Sequence, residues 1–131
     1  MLTYETECAA PPEPAWDLLA RPEQWSRWAP HLRGARGLGE PEVRVGAHGS
    51  AMLLGVVPVP AHVVAKRPGR SWSWEVGPVL IEHRVEARPG GCTIGVDLSA
   101  PAPVEALLRV GYGPVVALLI RNLARVAERT A

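Results

Sequence analysis

The segment Ser71–Ser99, SWSWEVGPVLIEHRVEARPGGCTIGVDLS, decides how the chain folds. Trp72, Trp74 and Val76 alternate with Ser71, Ser73 and Glu75. Ile81, His83 and Val85 alternate with Glu82, Arg84 and Glu86. Ile94, Val96 and Leu98 alternate with Thr93, Gly95 and Asp97. A period of two, apolar on one side and polar on the other, is the pattern of a half-buried strand. The interruptions, Gly77-Pro78 and Pro89-Gly90-Gly91, are too short to hold a crossover helix, so the three strands must run antiparallel. Each then presents an apolar face that something else in the chain has to cover.

Upstream, Ser50–Val57 and Val59–Lys66 read as two further strands separated by Pro58, and Arg67–Arg70 reads as a turn. Residues 34–49, rich in glycine and charge, predict a weak strand and a loop. At the start, Leu2, Tyr4, Thr6 and Cys8 alternate with Thr3, Glu5 and Glu7, which predicts another strand. Proline is tolerated only in the first turn of a helix, so Pro11, Pro12 and Pro14 place a helix start near Pro12, running through Trp16 and Leu19 to Ala20. Pro22 ends it and opens a second short helix, Pro22–Trp28, closed by Pro30.

The cover is the C-terminal segment. From Pro103 to Ala131 the period becomes helical. Tyr112, Val115, Val116, Leu119, Leu123 and Val126 fall on one side of the wheel, with Arg121, Arg125, Glu128 and Arg129 opposite. Pro114, beside Gly111 and Gly113, predicts a kink or a break.

Composition narrows the function. The 131 residues are 47 % hydrophobic, enough for one domain with a real core. A net charge of +1 gives no field to attract a phosphate backbone or an anionic bilayer, and no basic strand is interleaved with aromatics, so neither nucleic-acid binding nor membrane insertion is expected. The bias of the basic residues toward Arg, with abundant Ala, Gly and Pro, reads as a composition effect. No run approaches the ~20 apolar residues of a membrane span, and the N-terminus does not read as a signal peptide, so a cytoplasmic protein is expected. The four histidines show no His-x-His or i,i+4 spacing, and Cys8 and Cys92 fit no zinc motif, so no metal is expected. Gly34–Gly39 lacks the spacing of a dinucleotide loop and no βαβ unit follows it, so no cofactor is expected either. Ser71, Ser73 and Ser99 have outward parity, which leaves no Ser-His-Asp arrangement to propose.

The order strand, two short helices, six strands, long amphipathic helix resembles the helix-grip fold of the START-like (SRPBCC) superfamily, which includes polyketide cyclases, aromatase/cyclases and lipid-transfer domains. Local motifs agree: Ala10-Pro-Pro-Glu-Pro-Ala-Trp16-Asp-Leu-Leu, Pro22-Glu-Gln-Trp25-Ser-Arg-Trp28, the Trp72-Ser-Trp74 strand, the His83 strand, Gly90-Gly-Cys-Thr93 and Leu123–Glu128. Arg21 departs from the Asp that relatives often carry before the proline, and it cannot cap the following helix in the same way. The resemblance implies an α+β domain spanning residues 1–131, in which a curved antiparallel sheet of about seven strands wraps a long C-terminal helix. It also implies that the strands bearing Cys8 and Cys92 are neighbours; free thiols are expected.

In this family the gap between sheet and helix is an apolar cavity, so the resemblance implies a ligand site there. Its walls would be Trp72, Trp74, Ile81, His83, Val85, Ile94 and Val96 from strands, with Val115 and Leu119 from the helix. Trp25 and Trp28 would border its mouth or staple the second helix to the sheet, and Tyr112 would offer a hydroxyl to the cavity or pack with it at the surface. His83, flanked by Ile81 and Val85, should face inward, where it would donate a hydrogen bond to a ligand carbonyl or move a proton. His31, His48 and His62 should be solvated, and Asn122 should lie at the surface. Three functions stay open. One is binding of an apolar small molecule such as a lipid, polyketide or aromatic metabolite. Another is a cyclase, aromatase or dehydratase activity with His83 as acid/base. The last is a protein-interaction module without ligand. Self-association into a homodimer also stays open.

Overall fold

The computed structural model describes residues 1–30, 32–53 and 57–130; His31 therefore lies outside the described residues. Seven strands form one antiparallel sheet in the order β1-β7-β6-β5-β4-β3-β2. They are β1 Leu2–Cys8, β2 Leu32–Arg36, β3 His48–Leu53, β4 Val57–Arg67, β5 Ser71–Val76, β6 Val79–Arg88 and β7 Gly91–Ser99. Helix α1 spans Pro12–Ala20, a 3-10 helix spans Pro22–Arg27, α2 spans Ala102–Gly111 and α3 spans Gly113–Thr130. This is the helix-grip arrangement that the resemblance implied.

The meander from β4 to β7 follows from the tight turns, β3 and β2 extend it across a longer connection, and β1 closes the order by lying beside β7. Cys8 stands directly opposite Cys92 in that pairing. Trp72, Trp74, Val85, Ile94, Val96 and Leu98 are buried on the inner face. The outer face is not bare. Arg84 forms a fork on Asp97, with Nε–Oδ2 and Nη2–Oδ1 both 3.2 Å, and adds Glu5 at 2.7 Å and Glu86 at 3.1 Å. Ser73, outward by parity, is nevertheless buried.

One expectation is corrected at Pro58. It does not separate two strands but sits inside β4, as does Pro60. β5 pairs with β4 only from His62 onward, so the first part of β4 has β3 alone beside it. A strand open on one side tolerates residues without an N–H.

The C-terminal segment breaks where expected. α2 and α3 meet at Tyr112 and are bent by 57°, leaving Pro114 in the first turn of α3, where its missing N–H costs nothing. α3 packs on β1, α1 and β7. At its start the Tyr4 ring and hydroxyl lie against Gly113, leaving no space for a side chain there. The inward arc of α3 is Gly113, Val116, Ile120, Leu123, Ala124, Val126 and Ala127. Relative to the expected face it is rotated, so Val115 and Tyr112 are exposed and Leu119 is half-buried. On the α3 wheel the buried arc centres on Val116, Ile120 and Ala127, which leaves Leu119 at its edge and Val115 beyond it.

Candidate functional site

α1 ends at Ala20, followed by Arg21 and Pro22 rather than by a glycine cap, so its last four carbonyls need partners from elsewhere. All four find them. Asp17 O accepts from Arg21 N at 3.1 Å, and Ala20 O accepts from Val43 N at 3.0 Å. Leu18 O accepts from Trp28 Nε1 at 2.7 Å. Leu19 O accepts from Trp25 Nε1 at 3.1 Å and from Trp72 Nε1 at 3.2 Å. Three indoles, two from the 3-10 helix and its end and one from β5, thus converge on one helix terminus.

These rings build an aromatic wall. Trp25 lies parallel to Trp72, with centroids 5.9 Å apart, and Trp74 meets both edge-on. On β6, His83 stacks on Trp72 at 4.0 Å and meets Trp74 edge-on at 5.9 Å. Such offset and edge arrangements match the electrostatics of aromatic faces and edges. Trp25, Trp28, Trp72, Trp74 and His83 together enclose a hollow of about 30 Å³. That holds one water or one hydroxyl group, not a lipid or a polyketide. Here four indoles and the imidazole pack closely beneath the sheet and leave only that small space between them. Wider depressions, of about 680 Å³, lie along the connection from β2 to β3, around Pro22, Gly37, Gly39, Glu40 and Arg44.

Two groups on the small hollow are chemically unengaged. Trp16, Trp25, Trp28 and Trp72 all donate their indole N–H. Trp74 is buried, and its Nε1 has no partner among the described residues. A buried donor left unpaired is costly, and such atoms are rare. His83 is the second. Its Nδ1 lies 3.3 Å from Trp72 O. A carbonyl only accepts, so Nδ1 carries the proton. Burial pushes the pKa of His83 down to about 4, against a smaller opposing effect of that hydrogen bond, so the ring is neutral. The lone pair then resides on Nε2. In this tautomer Nε2 accepts a hydrogen bond or takes up a proton, while Nδ1–H is held by the Trp72 carbonyl.

The other expected wall residues divide. Val85, Ile94 and Val96 are buried core and Ile81 packs partly buried against that core, but none of them lines the hollow. Val115 and Tyr112 are exposed and Leu119 is half-buried. Asn122 is not a surface residue: it is half-buried and donates from Nδ2 to Trp28 O at 2.8 Å, tying α3 to the aromatic wall. His48 is exposed and stacks on the half-buried His62 across β3 and β4 at 3.8 Å. Among the described residues no three His, Cys, Asp or Glu side chains are grouped to hold a metal. Sequence reading gave Trp25 and Trp28 a role at a mouth and missed their role as donors to α1. The signal was the helix end itself, Leu-Leu-Ala-Arg-Pro without glycine, with two indoles just downstream.

The chain matches, over residues 2–128, the family described as polyketide cyclase/dehydrase and lipid transport. No curated protein matches it. Among solved structures it is similar to protein MLL2253 of Mesorhizobium loti, with a TM-score of 0.79, 16 % identity and coverage of 99 % of this chain and 98 % of that one. It is similar to the AHSA1-like protein RHE_CH02687 of Rhizobium etli, with a TM-score of 0.68, 21 % identity and coverage of 97 % and 81 %. It is also similar to DynU16, a putative protein of the dynemicin biosynthetic locus, with a TM-score of 0.67, 19 % identity and coverage of 98 % and 47 %. At these identities the likenesses establish the fold.

Proposed function

The chain belongs to the polyketide cyclase/dehydrase and lipid transport family, and from that premise we propose that it binds an apolar small molecule whose hydroxyl end sits between Trp74 and His83. One observation carries the reading. Two residues that line the aromatic hollow, Trp74 and His83, each carry a side-chain nitrogen with no bond among the described residues, the donor Trp74 Nε1–H and the acceptor His83 Nε2. A hydroxyl accepts from the first and donates to the second at once; a carbonyl engages only the donor. Apolar walls with a few convergent polar groups are the usual composition of a ligand site. The hollow accommodates the hydroxyl alone, so the rest of a lipid, polyketide or aromatic metabolite enters only as the wall made by Trp25 and Trp28 moves aside.

In a cyclase or dehydratase variant His83, neutral with its lone pair on Nε2, would accept a proton before it delivered one, as a weak base while burial holds its pKa near 4.

The test uses 2-naphthol and naphthalene as probes, read by tryptophan fluorescence and native mass spectrometry. 2-Naphthol binds on the order of tenfold more tightly than naphthalene, and Trp74→Phe removes most of that difference while leaving naphthalene binding intact. Equal binding of the two probes to the wild-type protein, or a preference untouched by Trp74→Phe, sinks the reading.

A further inference from the structure

We propose that the bend between α2 and α3 rests on an anionic lipid surface, lying in its interface without crossing it. No residue of α2 is buried, although its sequence includes Leu107, Leu108 and Val110. Leu107 is 74 % exposed and Val110 80 %, one turn apart on the outward face of α2. Across the bend, Leu118 is 64 % exposed and Val115 and Tyr112 more than a third. A ten-residue helix is marginal in water without packing, so an apolar face left bare on it calls for a partner.

The net charge of +1 gives no long-range field, and it is the local distribution of charge that identifies the partner. From Ala106 to Ala127 the chain carries Arg109, Arg121 and Arg125 and no acidic residue. The flanking acids are engaged: Glu105 with the N-terminal amine at 2.6 Å, and Glu128 with Ala9 N at 2.8 Å. Arg121 and Arg125, exposed on the same side of α3 as the bared Leu118, suit lipid phosphates. A second copy fits poorly. A two-fold interface would set this arginine-bearing face against itself with no acid to pair. Among the described residues no single helix is long and apolar enough to span a bilayer, and the opposite face of α3 is already in the core.

The test is flotation of the whole protein with vesicles of phosphatidylcholine alone or of equal parts phosphatidylglycerol and phosphatidylcholine. The wild-type protein partitions at least tenfold more onto the anionic vesicles, and raising NaCl weakens this several-fold by screening. Leu107→Glu with Leu118→Glu reduces the partitioning at least tenfold while the circular dichroism and Tm stay unchanged, since both side chains are outside the core. Arg109→Gln with Arg121→Gln reduces binding to anionic vesicles only. The proposal is overturned if anionic vesicles are not preferred, or if the double Glu variant partitions like wild type. It is equally overturned if light scattering shows a wild-type dimer that this variant splits, which would assign the face to a second copy.

Discussion

Acid should weaken this fold early, through His83. The side chain is buried and neutral, with its pKa lowered from 6.5 to about 4 by desolvation. In the unfolded chain the imidazole takes up a proton below about 6.5. Between those two values the unfolded state binds more protons than the native state, so stability rises with pH across that window. The contribution is present in full above 6.5, is lost as the pH falls, and is exhausted near pH 4. A separation of about 2.5 units corresponds to about 3 kcal/mol in all, of which about 2 kcal/mol is gone by pH 5. Asp97 and Glu42 also lose stabilisation on acidification. For both, burial opposes ionisation, and the bonds from Arg84 and Thr3 to Asp97, and from Lys66 and Trp16 to Glu42, outweigh it and lower the pKa. Their unfolded values near 4 place that loss below the His83 window. Urea unfolding, followed by tryptophan fluorescence at intervals from pH 7.5 to pH 4.5, measures the slope. His83→Asn, which keeps an N–H in reach of the Trp72 carbonyl but does not titrate, starts less stable and should remain nearly flat between pH 7 and pH 5. If wild type and variant lose stability in parallel, the imidazole is not held neutral and the assignment of a lone pair to Nε2 falls with it.

Two further outcomes follow from the pairing of β1 with β7. Cys92 is fully buried, and burial first, then Cys8 opposite it, push its thiol up to about 12; in the folded protein at pH 8 it should react with DTNB only at the rate of unfolding, and rapid native labelling would contradict this. Gly91 has the Cys8 carbonyl where a Cβ would stand; Gly91→Ala should cost about 1–3 kcal/mol in urea unfolding, and a neutral result would show that β1 yields easily there.

Much of the fold was legible because its signals are local and periodic. Trp72 and Trp74 share a face by a period of two, and Pro12 and Pro22 each permit only a helix start. What escaped was set by packing. The wheel places Val115 near the apolar side of α3, and only the seating of the helix on β1, with Gly113 against Tyr4, turns Val116 and Ile120 inward instead. Pro58 reads as an interruption unless one knows that the first part of β4 has a neighbour on one side only. The site was half legible. Parity brought His83, Trp72 and Trp74 to one face, but neither the volume between them nor the direction of the His83 proton is written in a pattern. The proton's place is fixed by the Trp72 carbonyl, a contact that exists only once β5 and β6 are in register.

The indoles that finish α1 have a kinetic corollary. Trp25, Trp28 and Trp72 reach the same helix terminus from three places in the sequence, so the wall of the hollow and the end of α1 are fastened together. A guest that displaces Trp25 or Trp28 must at the same moment strip donors from Leu18 or Leu19. Admission then becomes a concerted rearrangement rather than a simple collision, and its observed rate should level off as guest concentration rises, at the frequency with which the helix end lets go.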